Sequence, residues 1–205
     1  MDSLNVVKDE LLDKAHQLEV SMIRFIRHQS LLEKKADISL SDLFNIDDLK
    51  EIMIPFHEST GLGVALFDEN HELLASEGWQ KICTNFHQKH PEAHHSCLES
   101  ENYFKKHFKP NQAISHKCKN GLWDIAYPIF LDDNLIGSIV FGQFFYADEK
   151  IDKTFFIGQA EKFNFDQDAY ITELKTVPIM NRGQIESYVK LFVKIIEKTA
   201  SLGEL

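Results

Sequence analysis

Leu4, Leu11, Leu18, Phe25 and Leu32 recur at a spacing of seven, and Ala15 and Met22 occupy a second stripe that Lys8 and Gln29 interrupt. No Gly or Pro falls within this stretch, so the pattern predicts one helix from residue 4 to about 34. Such a seam fits either an amphipathic helix lying on its own domain or a helix that pairs with a second copy of the chain. After a break at Asp37–Ser41, the stripe Leu43, Ile46, Leu49, Ile52, Met53, Phe56 predicts a helix over Asp42–Thr60, with Ser41 as N-cap and Gly61 beyond its end. The pattern then shortens to strand, polar turn, strand: Gly63–Phe67, Asp68–Asn70, His71–Ser76. That reads as a β-hairpin.

From Trp79 to about Phe108 the pattern is helical but irregular. Pro91 is expected to divide it into two short helices, the second starting near Ser96 and turning Leu98, Tyr103 and Phe104 inward. Ala113–Cys118, Leu122–Phe130 and Leu135–Phe145 alternate or run apolar, and Lys119-Asn120-Gly121 and Asp132-Asp133-Asn134 separate them as turns. This is an antiparallel three-strand meander. Helices follow over Lys153–Lys162, from Asp166 to before Pro178, and over Gln184–Leu202. The sum is an α+β fold: a five-stranded antiparallel sheet with helices on one face, flanked by N- and C-terminal helices. The expected organisation is an N-terminal helix (1–36), a central α+β domain (37–180) and a C-terminal helix (181–205).

Composition narrows the function. The chain has 205 residues and a net charge of −10. No cluster of Lys and Arg suits direct contact with nucleic acid. No apolar run reaches the roughly 18 residues a membrane helix needs, and the N-terminus lacks the pattern of a signal peptide, so a cytoplasmic location and no membrane contact are expected. Motifs for phosphate loops, zinc proteases and serine hydrolases are missing, which points to a non-catalytic module.

Several segments resemble the PocR sensory domain. They are Gly61–Gly78, Trp79-Gln80-x-x-Cys83-x-x-Phe86-His87, the stretch around Cys97, His116-Lys-Cys118-Lys-Asn-Gly-Leu122-x-Asp124, Tyr127-Pro-Ile129 and Ile136–Gln143. The likeness runs from about Leu40 to Val177. It implies a PAS-like fold that senses a small molecule, such as a short diol or another small hydrocarbon derivative. It also implies an output through a histidine kinase or a transcription regulator. No helix-turn-helix module or kinase domain is legible here, so that output is expected outside this chain.

Two constellations are candidates for the site. In a PAS-like cleft a small amphiphile needs aromatic walls and a few aimed polar groups. Trp79, Phe86, His87, Trp123, Asp124, Tyr127, Phe141 and Gln143 are the expected ligand-binding residues, with Phe104 a further closing ring. Strand alternation puts Trp123 and Tyr127 on one face and Asp124 on the other, and puts Phe141 together with Gln143. The sequence does not say which face lines a pocket. Asp124 and Gln143 stand out because buried polar groups need partners, which a ligand hydroxyl or a loop backbone can supply.

The second constellation is Cys83, Cys97 and Cys118, with His87 one helical turn beyond Cys83 and His94, His95 and His116 nearby. It raises three alternatives: free buried thiols, a redox pair, or a zinc or iron–sulfur site. The expected partners are therefore a small-molecule ligand and a second copy of the chain through the terminal helices. A dimerisation scaffold without ligand is the remaining alternative.

Overall fold

The computed structural model describes residues 38–131 and 133–201. The heptad segment at residues 4–34 lies outside them.

Helix α1 (Leu40–Leu43) is a single turn, and α2 spans Ile46–Thr60. One longer helix was expected, capped by Ser41. Instead Ser39 is the cap, and the Asp42 carboxylate accepts hydrogen bonds from its backbone N–H (3.0 Å) and its hydroxyl (2.7 Å). Phe44 then goes extended, and the Asn45 side chain accepts from the Asp47 N–H to start α2. A local Asx cap thus outcompetes continuation of the helix. Gly61, at φ 73°, ends α2 in the left-handed conformation a Cβ disfavours.

Strands β1 (Gly63–Asp68) and β2 (Leu73–Glu77) form the hairpin. Cys83–His87 is a π-helical turn, and α3 spans Pro91–His107. Pro91 begins this helix rather than breaking it, because the first turn needs no N–H from its first residue. Phe104 turns inward, but Leu98 faces solvent. The meander is β3 (Ile114–Lys117), β4 (Trp123–Leu131) and β5 (Asn134–Tyr146). Helices α4 (Lys153–Lys162) and α5 (Gln167–Leu174) follow, N-capped by Asp152 and Asp166. A two-residue strand β6 (Ile179–Met180), unexpected from the pattern, runs parallel to the end of β5. The last helix is α6 (Arg182–Ser201).

The sheet order is β2-β1-β5-β4-β3, antiparallel throughout, with β6 attached to the end of β5. This is the PAS-like arrangement, and β5 is its central strand. Helices cover both faces, not one. On the first face, α2 and α6 pack on Val64, Leu66, Ile125, Ile139 and Phe141. Phe56 of α2 lies edge-on to Phe192 of α6 (4.9 Å) and to Phe141 (5.7 Å). On the second face, the π-helical turn and α3 stand off from the sheet. A second apolar cluster joins Ile82 and Leu122 to Phe156 of α4 and Tyr170 of α5 at the strand ends. Among the described residues no helix is long and apolar enough to cross a membrane.

Candidate functional site

The gap between the second face of the sheet and the π-helical turn with α3 is a cavity of about 300 Å³. That is the lower end of the range for small-ligand sites. Its floor is Ala65, Val140, Gly142 and Gln143 from the sheet, and Phe67, Trp79 and Phe104 supply aromatic wall.

Of the expected ligand-binding residues, Trp79, His87, Asp124 and Gln143 line this cavity. Trp123, Tyr127 and Phe141 do not. They sit on the opposite face with α2 and α6. Phe86 points into the second apolar cluster, 5.1 Å from the ring of Tyr170. Simple alternation put Phe141 and Gln143 on one face, and a bulge separates them. Trp123 pairs with Phe144 and Asp124 with Gly142, so Gln143 is the extra residue. A bulge of this kind re-aims a side chain. Gln143 Oε1 accepts from the Gln80 N–H at 2.7 Å and pins the strap that carries Trp79. Its Nε2 makes no hydrogen bond among the described residues.

Asp124 is half-buried and faces the cavity. Its carboxylate lies over Gly142, where a Cβ would collide with Oδ1. No donor among the described residues bonds it. Desolvation, and then the nearby Glu101 of α3, push its pKa up to about 7. The signal for this site residue was the carboxylate within an apolar strand. Glu101 and His71 also line the cavity and were not foreseen, since nothing local distinguishes them from surface residues.

Behind the cavity wall runs a chain of hydrogen bonds between residues far apart in sequence. Asn120 Nδ2 donates to the Ala93 carbonyl (2.9 Å). Asn120 Oδ1 accepts from Gln159 Nε2 (3.4 Å), and Gln159 Oε1 accepts from the Tyr170 hydroxyl (2.9 Å). The Tyr170 oxygen is 2.7 Å from His87 Nε2, and His87 Nδ1 is 3.6 Å from Cys83 Sγ. A backbone carbonyl only accepts, so it orients every member in turn. Tyr170 has spent its one proton on Gln159, so His87 Nε2–H must donate to it. His87 Nδ1 is then bare and accepts the Cys83 S–H. Burial lowers the His87 pKa to about 4, which keeps the imidazole neutral. Burial also raises the Tyr170 hydroxyl.

Cys83, Cys97 and Cys118 all line the cavity. Burial raises Cys83 well above the ordinary thiol value, Cys97 to about 11 and Cys118 to about 12. Without a metal all three favour the thiol at neutral pH, which disfavours an activated nucleophile among them. Among the described residues no group of three or more His, Cys, Asp or Glu is disposed to hold a metal ion. His94 faces the cavity, while His116 stacks on Tyr103 at 4.2 Å.

Residues 42–204 match the family described as the sensory domain found in PocR. The match runs on beyond Val177 through α6. A search of curated proteins finds no match.

Two outcomes follow from this geometry. Tyr170→Phe keeps the ring but leaves His87 Nε2–H and Gln159 Oε1 unpaired, so urea denaturation should show a loss of about 2–4 kcal/mol. In the parent protein, nitrogen-15 NMR should find the Nε2–H tautomer of His87 from about pH 5 to about pH 8. Asp124 has a folded pKa of about 7 against 3.8 when unfolded. The folded state therefore binds the proton more tightly, and the stability this adds is present in acid and lost as pH rises through about 7. Asp124→Asn should be the more stable protein at about pH 8 by a few kcal/mol, with the difference vanishing toward about pH 4.

Proposed function

This chain belongs to the family of sensory domains found in PocR, and from that premise we propose how it senses. A small molecule, a hydrocarbon derivative such as a short diol, binds the cavity between the sheet and α3. Its presence is passed through the flanking helices to a histidine kinase or a transcriptional output carried elsewhere. Residues 37–180 form the sensor, and 1–36 and 181–205 form the transmitting elements. The module is non-catalytic and cytoplasmic.

The observation that carries this reading is the two-sidedness of β5. Val140, Gly142 and Gln143 line the cavity, while Phe141 between them touches Phe56 of α2 and Phe192 of α6 (5.4 Å). One strand thus separates a ligand from the helix pair. Any shift of β5 that accommodates a ligand moves a ring on the other side. A second link lies at the end of the strand. Arg182, the first residue of α6, bonds Asp148 (2.7 Å) and Glu149 (3.4 Å) and stacks on Tyr146 at 3.9 Å. Ligand contacts that differ between two helix arrangements would then shift their populations.

The thiol-based alternative has no comparable support: among the described residues no group of three or more His, Cys, Asp or Glu is disposed to hold a metal ion.

A library of small diols, alcohols, amines and acids, followed by thermal melting, tests the reading. A compound present at a hundred times its dissociation constant should stabilise the fold by about 2.7 kcal/mol. Ala65→Phe, which fills the floor of the cavity, should abolish that shift. A library without a single hit leaves the dimerisation scaffold as the better account.

The heptad segment supports a homodimer through the terminal helices. Light scattering at tens of micromolar should report twice the chain mass, and a monomer would count against it.

A further inference from the structure

The charge of the cavity is more specific than its shape. The lining carries two carboxyl groups, Asp124 from β4 and Glu101 from α3, and no lysine or arginine among the described residues. Lys105 is not among the lining residues and bonds the Asn70 carbonyl at 2.9 Å, though its charge acts on Glu101 and His71. The Asp124 carboxylate is half-buried, lies over the cavity floor at Gly142, and receives no hydrogen bond from the described residues. A half-buried carboxylate in that condition is harder to ionise than one in open water, and a ligand that donates to it offsets that cost. Aromatic faces at Trp79, Phe67 and Phe104 complete the wall, and such faces attract cations.

We propose that the cavity selects a small organic cation, an alkylamine or amino alcohol, whose ammonium sits between Asp124 and Glu101 and whose carbon chain lies on the aromatic wall. Anionic ligands are excluded by the same two carboxyls. The proposal rests on the sensing reading above and departs from it in the ligand, putting an amine where that reading gave a short diol as its example.

Two consequences separate an ammonium from a neutral ligand. The cation needs the ionised form of Asp124, which is raised to about 7. Its affinity should therefore fall about tenfold from pH 8 to pH 6, as the competent fraction falls. The other titratable groups facing the site are Glu101 and His94 from α3, His71 from the β1–β2 turn, Cys83 and His87 from the π-helical turn, and Cys97 and Cys118. Burial lowers His71 and His87 to about 4 and raises all three thiols above neutrality. Those five groups do not compete for the proton in that window, and burial raises Glu101 in the same direction as Asp124. A diol, which ionises nothing, should not show this dependence.

The test is calorimetry and thermal melting of the full chain with two matched sets of probes. One is isopropanolamine, propylene glycol and lactate. The other is hexylamine, hexanol and hexanoate. The expected result is binding by at least one amine, stronger at pH 8 than at pH 6, with its neutral and anionic counterparts weaker. Asp124→Asn should weaken amine binding by about tenfold or more. Glu101→Gln, which keeps the size of the side chain and removes its charge, is a second variant, and it should weaken binding in the same direction. Equal or better binding by the alcohols or acids overturns the proposal and leaves the sensing reading intact. So does amine binding that both variants leave unchanged. If no probe binds, the cation is overturned, and the wider library decides the sensing reading separately.

Discussion

A β-strand sends alternate side chains to opposite faces, and β5, paired on both edges, has to satisfy two very different neighbours at once. Ile139 and Phe141 meet a dry helix interface, while Val140 and Gly142 meet a cavity. Strict alternation would put Gln143 among the aromatic rings of α2 and α6, where an amide has no partner. The bulge moves it to the cavity side and lets Phe144 return to the core. From this one extra residue follow the strap held by Gln80, the position of Trp79 and the open floor at Gly142. Asp124 fits only because its neighbour across the ladder has no side chain.

The wall opposite β5 is held by a different device. The Ala93 carbonyl is a fixed acceptor, and the hydrogen bonds from Asn120 to Cys83 inherit their direction from it. The chain ties α3, the β3–β4 turn, α4, α5 and the π-helical turn to one protonation pattern. A buried network pays for its polarity only when every member is satisfied, and this one is. The result is a back wall tied together by hydrogen bonds beside a floor whose half-buried carboxylate has no donor among the described residues. A sensor needs that contrast: a framework that does not respond, and a single group that does.

Much of this was legible in the chain. Hydrophobic periodicity gave the strands of the hairpin and meander and the helices at Lys153, Asp166 and the C-terminus. It also marked Asp124 and Gln143, because a carboxylate and an amide stand out in apolar strands. The segments Trp79–His87 and Cys118–Asp124 pointed to the PocR family before any geometry did. Periodicity failed where local side-chain chemistry competes with it. Ser39 and Asn45 cut the first described helix in two, and Pro91 started a helix that it was expected to divide. It also failed at the bulge, which breaks the period of two on which the assignment of faces rests.

By itself, then, the sequence determined most of the helices and strands, the family, and which polar residues are out of place in their strands. Those properties depend on neighbours within a few positions. Only the tertiary structure decided that Trp123, Tyr127 and Phe141 serve the helix interface, that Asp124 shares a cavity with Glu101, and that Asn120, Gln159, Tyr170 and His87 form one chain. These depend on contacts between residues tens of positions apart, which local pattern does not encode. The direction of a hydrogen bond and the pKa of a carboxyl are set by what encloses them, and that enclosure exists only once the sheet, α3, α4 and α5 have come together.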